Sequence, residues 1–433
     1  MNRPLSPIEH MMWQVDQIAR QNFVFVARIL GQISEETLRK ALDVLQDKFS
    51  SLKIRIQDGA IPEYTTNDVP RIPLRTIAMR DEFHWQEEAE KEIDTVFPFK
   101  TGPLVRSVLL NSEKKSDLLL SFCHVPTDGI SSLMVLDFLL KIIGDFSQGK
   151  PKTPLQNIPL SPASIDLLRK DLKYPNRSFS IIERIKKKIF KPVELMPEID
   201  TPLEKKRSRF LFAQLSKEET HKLLYLAKKE KTTAHGAISA AFFQAIIEQI
   251  RSNQNVPQRG PLMLGCFSPV NIRQFFTRSV QEDIGYYISV AVHYQLINEH
   301  SSLWSVARKI IKSLKKEIYF GNDIKILFSV NDILKQISDP YELATSIHIS
   351  NAPIVSTNLG RINLSDQYGD LKLEALYYPA SIHFDAKSGL CLESGTFQDC
   401  LNLGFLYVEP IVSKKRAEQI LSNMIERLKN AIK

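Results

Sequence analysis

The most constraining stretch of the chain is Leu118-Leu119-Leu120-Ser121-Phe122-Cys123-His124-Val125-Pro126-Thr127-Asp128-Gly129-Ile130. The apolar run over 118–122 reads as a buried strand leading straight into the histidine. Beyond Gly129, apolar side chains recur at helical spacing (Ile130, Leu133, Met134, Phe138, Ile142), which predicts a helix ending near Gly144. His124 therefore sits in a tight turn between the end of a strand and the start of a helix. Sites in α/β proteins are commonly built at such strand ends, where a rigid scaffold holds a short loop.

Two readings of this His-x-x-x-Asp-Gly pattern stand side by side. A neutral imidazole, with an ordinary pKa near ~6.5, takes a proton from an alcohol or amine at neutral pH. Asp128 then fixes the loop by pairing with a cation elsewhere, and Gly129 lets the backbone turn and a substrate come close. The other reading is a core histidine bonded to a turn carbonyl, with Asp128-Gly129 as ordinary turn chemistry.

Length and composition bound the rest. A chain of 433 residues exceeds one compact core, so two domains are expected. Its 43% apolar and 24% charged residues are those of a water-soluble globular protein. No long apolar run predicts a membrane span, and residues 1–10 lack the apolar core of a signal peptide, so the expected location is the cytoplasm. Four scattered cysteines (Cys123, Cys266, Cys391, Cys400) argue against a disulfide framework or a zinc site. His383 with Asp385, and the pair His221/His235, lack metal spacing, so no metal is expected. The net charge of +8, concentrated at 184–191, 205–209 and 309–316, favours anionic partners. Phosphate groups, an acidic protein or anionic lipid would suit it, while solvated helix faces are the plainer reading of the same charge. No nucleic-acid motif accompanies the charge, and nucleic acid is not an expected partner.

Four further stretches accompany the His124 motif. Leu5-Ser6-Pro7-Ile8-Glu9 lies near the start, and a strand-helix-strand pattern spans 31–56. Val270-Asn271-Ile272-Arg273 is followed by Ile284-Gly285-Tyr286, and Ser356-Thr357-Asn358-Leu359-Gly360-Arg361 comes later. With these, the chain resembles the chloramphenicol acetyltransferase and condensation-domain superfamily, nearest its standalone polyketide-associated acyltransferases. The resemblance implies an α/β fold of two similar lobes, each a mixed sheet with helices, with a tunnel at their interface. It departs from the pattern at Cys123, where many members carry a second histidine.

Read in order, residues 1–150 form an N-terminal lobe carrying the motif, 151–206 a linker and 207–433 a C-terminal lobe. Strands are expected at 23–30, 53–57, 72–77, 103–110, 118–123, 209–215, 262–269, 286–296, 347–356, 372–378, 389–397 and 401–407. Helices are expected at 35–49, 81–96, 217–229, 234–250, 302–319 and 413–431, with Ser34, Ser216 and Thr233 as caps. Gly144-Asp145-Phe146-Ser147-Gln148-Gly149-Lys150 spells Gly-x4-Gly-Lys. It ends a helix and continues with Pro151, so it is rejected as a phosphate loop. Within the linker, 178–190 places isoleucines on one helical face and basic residues largely on the other. That pattern suits a packed linker helix or peripheral contact with an anionic membrane.

The resemblance implies acyl transfer from an acyl-coenzyme A or phosphopantetheine-linked thioester, used as a co-substrate rather than a permanently bound cofactor. His124 acts as general base, and Gly129 helps to form the site. Asp128 is structural and pairs with Arg273, supported by Asn271. Ser356, Thr357, Asn358 and Gly360 are candidate oxyanion or tunnel residues, or plain turn residues. No Asp-Ser-Leu carrier signature occurs, so a carrier protein would act in trans. Ester formation on a small-molecule or lipid alcohol is favoured. Amide formation by a freestanding condensation enzyme, and a catalytically silent member that binds carrier or lipid, are the alternatives.

Overall fold

A computed structural model describes residues 2–150, 156–172, 190–254, 256–298, 300–346, 354–382 and 389–433. The possible membrane helix at 178–190, and His383 and Asp385, fall wholly or almost wholly outside the described residues. The chain forms two compact units that interleave along the sequence. The first is Met1–Lys170, Ile272–Ile288 and Ile362–Ser381; the second is Asp171–Asn271, Ser289–Arg361 and Ile382–Lys433. This differs from the contiguous division at 150 and 206, because two later segments return to complete the first unit. Local periodicity carries no information about such a return.

The first unit holds a six-stranded mixed sheet. Its strands, in spatial order, are β12 (Gln367–Tyr368), β13 (Leu371–Tyr377), β2 (Asn22–Leu30), β7 (Lys115–Cys123), β6 (Val105–Asn111) and β5 (Leu74–Ala78). β2 and β7 are the central pair and are buried along nearly their whole length, which explains their almost unbroken apolar spelling. Pairing is antiparallel throughout except between β5 and β6. A small three-stranded sheet of β1 (Asn2–Pro4), β4 (Glu63–Thr65) and β3 (Arg55–Gln57) lies in the same unit.

Among the described residues, this unit carries four longer helices and the short helix Ser164–Leu167. α1 (Pro7–Asp16) opens with a capping box, in which the Ser6 and Glu9 side chains each bond the other's backbone N–H. This helix is not among those expected from the sequence. α2 (Glu35–Lys48) is capped by Ser34, whose hydroxyl accepts from the Thr37 N–H at 3.0 Å, and it buries Leu38, Ala41, Leu42 and Leu45. α3 is His84–Asp94 and α4 is Gly129–Ser147. α4 presses on the β12 edge at Gly144, where a Cβ would lie 2.6 Å from the Tyr368 carbonyl carbon. The rejected phosphate-loop spelling thus has a packing explanation: Gly144 admits a backbone and Gly149, at φ +70°, follows the helix end.

The second unit holds its own six-stranded mixed sheet. The spatial order is β10 (Ile288–Ile297), β9 (Leu262–Asn271), β11 (Ile354–Arg361), β14 (Leu390–Phe397), β15 (Cys400–Glu409) and β8 (Arg207–Leu215). β11 runs parallel to β9 and β14, while β15 runs antiparallel to β14 and β8. The helix Ala234–Asn253 is apolar nearly all round and buried, as its composition demands. Two helices, Asn322–Gln336 and Pro340–Ser346, occupy the interval between the expected helix at 302–319 and the next strand. The strand expected at 347–356 begins at Ile354, and 347–353 lie outside the described residues.

The core of this unit carries a buried imidazole. His293 Nε2 lies 3.0 Å from the Ser268 hydroxyl, while Nδ1 is buried without a partner. Burial, with His235 nearby, pushes its pKa down to about 3. An unfolded histidine titrates near ~6.5, so the unfolded chain binds the proton first as pH falls. The stabilisation from neutral His293 is full above that value and is lost as pH falls toward about 3. Denaturant unfolding between pH 7 and 4 should show stability falling with acid, with this one group contributing up to about 1.4 kcal/mol per pH unit. His293→Gln should flatten the slope; an unchanged slope would show that the group titrates normally.

Candidate active site

The turn after β7 gathers the motif residues. The His124 backbone N–H bonds the Gln21 carbonyl at 3.0 Å, tying the turn to the segment that follows α1. Its ring Nδ1 lies 2.8 Å from the Thr127 carbonyl. A carbonyl only accepts, so Nδ1 carries the hydrogen and Nε2 keeps its lone pair. Nε2 has no hydrogen-bond partner among the described residues, and the side chain is half-buried rather than sealed. Phe23 meets the ring edge-on at a centroid distance of 4.9 Å, and Tyr286 lies tilted at 5.6 Å. Burial lowers the His124 pKa below its usual value, against the opposing pull of the Thr127 carbonyl and the Asp128 charge. The ring is thus neutral at physiological pH and has one nitrogen to offer. Both sequence readings of the motif describe part of it, since the ring does bond a turn carbonyl and that bond aims the other nitrogen.

Asp128 caps α4 and is wholly buried. Its Oδ1 accepts from the Ser131 backbone N–H and from Arg273 Nη2, each at 2.9 Å, and its Oδ2 accepts from the Tyr287 N–H at 2.9 Å. Arg273 also donates to the Ser131 hydroxyl at 2.8 Å and lies over the Tyr287 ring at 4.9 Å. Ser131 in turn donates to the Gly285 carbonyl at 3.2 Å and accepts from the Gly285 N–H at 3.3 Å. A Cβ on Gly285 would fall 2.2 Å from Cζ of Tyr287, so only glycine fits beneath that ring. Gly129 is the first residue of α4 and is half-buried beside the cap. The first unit therefore brings together His124, Asp128 and Gly129, which the motif spacing places side by side, with Arg273, which the resemblance implies. Ser131, Gly285 and Tyr287 belong to the same cluster; of these, the sequence points only to Gly285, through the stretch Ile284-Gly285-Tyr286. The Ser three residues after the aspartate was the available signal for the first of them.

The remaining candidates lie in the second unit, apart from this cluster in the division of the chain. Asn271 is the exposed last residue of β9. Ser356 is buried, with its hydroxyl 2.9 Å from that of Ser239. The Thr357 carbonyl accepts from the Ser394 hydroxyl at 3.0 Å. Asn358 Oδ1 accepts from the Gly360 N–H at 2.6 Å, and Gly360 has φ +72°. Arg361 reaches Asp399 at 3.3 Å. The Asn-Leu-Gly-Arg spelling is therefore an irregularity within β11, where the pairing to β14 shifts register, rather than a free turn. Among the described residues, no group of three His, Cys, Asp or Glu side chains is placed to hold a metal ion. No helix among them is long and apolar enough to cross a membrane.

Comparison with known proteins follows the same lines. Residues 204–398 match the family described as the phthiocerol/phthiodiolone dimycocerosyl transferase C-terminus. Chondramide synthase from Chondromyces crocatus is 26% identical over 254 residues, which is 55% of this chain and 6% of that protein. The chain thus spans a small part of the curated relative it matches. The TRI3 trichothecene 15-O-acetyltransferase from Fusarium sporotrichioides superposes with a TM-score of 0.75 at 13% identity, covering 100% of this chain and 96% of that one. Polyketide synthase associated protein 5 from Mycobacterium tuberculosis gives 0.70 at 14% identity, covering 99% and 100%. The first condensation domain of the CDA synthetase gives 0.65 at 13%, covering 100% and 96%. At such identities these structures establish the fold.

Removing either member of the buried pair leaves the other uncompensated. Arg273→Ala should cost about 3–5 kcal/mol of stability, the range for a buried charge stripped of its partner. Asp128→Ala should also lose the cap of α4. Urea unfolding of both variants checks this, and a stable protein with parental kinetics in either case would show that the pair does not hold the turn.

Proposed function

From the chain's likeness to the chloramphenicol acetyltransferase and condensation-domain superfamily, we propose that it transfers an acyl group from a thioester to a hydroxyl, with His124 as general base. The carrying observation is the ring itself: neutral, anchored through Nδ1 to the Thr127 carbonyl, and unpartnered at Nε2 among the described residues. The alcohol O–H gives its proton to Nε2 as its oxygen bonds the thioester carbonyl carbon. The carbonyl oxygen takes up the electron pair and becomes an oxyanion. Collapse restores the carbonyl, breaks the carbon–sulfur bond and expels the thiolate, which takes the proton from the imidazolium. The products are an ester and a free thiol, and no acyl-enzyme is required, because holding two activated partners together supplies the advantage.

Asp128 and Arg273 are positioning residues in this scheme. They hold the turn and do not touch the reacting atoms. Coenzyme A and a carrier protein acting in trans both supply the required thioester, and the net charge of +8 suits either phosphate or an acidic carrier. The likeness to a 15-O-acetyltransferase supports an alcohol acceptor. The match to a stretch of chondramide synthase supports a second reading, amide formation on a carrier-bound amine.

Thiol release from a panel of acyl-coenzyme A donors, offered alcohols and amines, separates the two readings. Release with alcohols supports the first; release only from carrier-bound donors with amines supports the second. In either case His124→Ala should lower turnover roughly 10²–10⁴-fold, the range for losing a general base. The acid limb of kcat/KM should lie below ~6.5, since the ring is held neutral to lower pH than a free histidine. A folded His124→Ala variant with parental turnover would overturn the assignment.

A further inference from the structure

Tyr286 and Tyr287 are neighbours in sequence with opposite surroundings. The Tyr287 ring sits under Arg273 and against Phe276, at centroid distances of 4.9 and 5.2 Å. The Tyr286 ring lies 5.6 Å from the His124 ring, tilted by 58°, and the residue is 9% exposed. Its hydroxyl has no hydrogen-bond partner among the described residues, yet unlike the Tyr287 hydroxyl it is not one of the sealed polar atoms left without one. The backbone on either side of it is fixed. Gly285 exchanges both its backbone groups with the Ser131 hydroxyl, and the Tyr287 N–H is held by Asp128. The carboxylate and hydroxyl that set the His124 turn therefore also set where Tyr286 stands beside the imidazole.

We propose that the Tyr286 hydroxyl is a catalytic hydrogen-bond donor to the oxyanion that forms when the nucleophile activated by His124 attacks the thioester carbonyl. This deepens the acyl-transfer reading and rests on it. The oxygen that hands its proton to Nε2 and the oxyanion share one tetrahedral carbon, so a donor for the second belongs close to the base that serves the first. A tyrosine flanking the imidazole meets that requirement. No proton is transferred: the phenol O–H donates, the oxyanion accepts, and the bond is released as the carbonyl re-forms and the thiolate leaves. Burial first, and then the Asp128 charge, raises the Tyr286 pKa. The hydroxyl thus remains a donor throughout the physiological range, and an anionic phenolate that would repel the oxyanion does not form.

The test is Tyr286→Phe, which keeps the ring that packs on His124 and removes only the hydroxyl. Turnover should fall roughly 10²-fold, the scale for losing one oxyanion donor, with KM, the unfolding midpoint and the acid limb of kcat/KM unchanged. Parental kcat, or a higher KM at parental kcat, would overturn the proposal, because the hydroxyl would then be idle or merely bind the acceptor. Tyr286→Leu, which removes the ring as well, should be no slower than Tyr286→Phe once corrected for its folded fraction; a much greater loss would assign the effect to ring packing. His124→Ala run alongside keeps the two conclusions apart. If His124→Ala is inactive and Tyr286→Phe is unimpaired, only the oxyanion role falls; if His124→Ala is fully active, the acyl-transfer reading falls with it.

Discussion

The first unit depends on one buried carboxylate. Asp128 is 0% exposed and accepts from the Ser131 N–H, the Tyr287 N–H and Arg273 Nη2. Burying an ionised carboxylate is tolerable only when charge and hydrogen bonds replace its water. Here they come from two segments far apart in sequence, α4 and the residues before β10. The same contacts that satisfy the charge clamp the loop carrying His124 to the loop carrying Tyr286. Rigidity at the site is thus a by-product of solving an electrostatic problem in the core.

Restraint on the imidazole follows from the same arrangement. Asp128 lies near enough to favour the charged ring, yet its oxygens are taken by other donors, and Nδ1 turns to the Thr127 carbonyl instead. In a histidine–carboxylate dyad the acid would bond Nδ1 directly and stabilise the imidazolium. This turn supplies a neutral acceptor, which orients the ring while leaving it a weaker base. A weaker base of this kind is enough where the electrophile is already activated, as in the reaction proposed above.

Much of this was legible in the sequence because it is local. The strand over 118–123, the helix after Gly129, and the caps Ser34, Ser216 and Thr233 follow from apolar period and side-chain hydrogen bonding. The pairing of Asp128 with Arg273 crosses 145 positions and came from family likeness, since no spacing rule reaches that far. What escaped was of two kinds. The capping box at Ser6 and Glu9 and the helical spacing of Ile8, Met11, Met12 and Val15 are both present in the sequence, but the stretch was read only as a family signature. The place of Tyr286 beside His124, and the return of β12 and β13 to the first sheet, are tertiary facts with no local trace. Ser356 and Asn358 show the opposite error: a turn-like spelling sits inside a strand, its hydrogen bonds met within the second unit.

The interleaving of the units sets an order of events during synthesis. β2 is flanked by β7 on one side and by β13 on the other, and β13 is encoded some 340 residues later. On the ribosome, the apolar edge of β2 waits for its second neighbour for a time on the order of tens of seconds, at elongation rates of roughly 5–20 residues per second. Over part of that interval Asp128 also lacks Arg273. A nascent chain in that state carries an open strand edge and an unmatched core charge, the kind of surface that chaperones hold. A gene cut between the two halves would make that transient condition permanent.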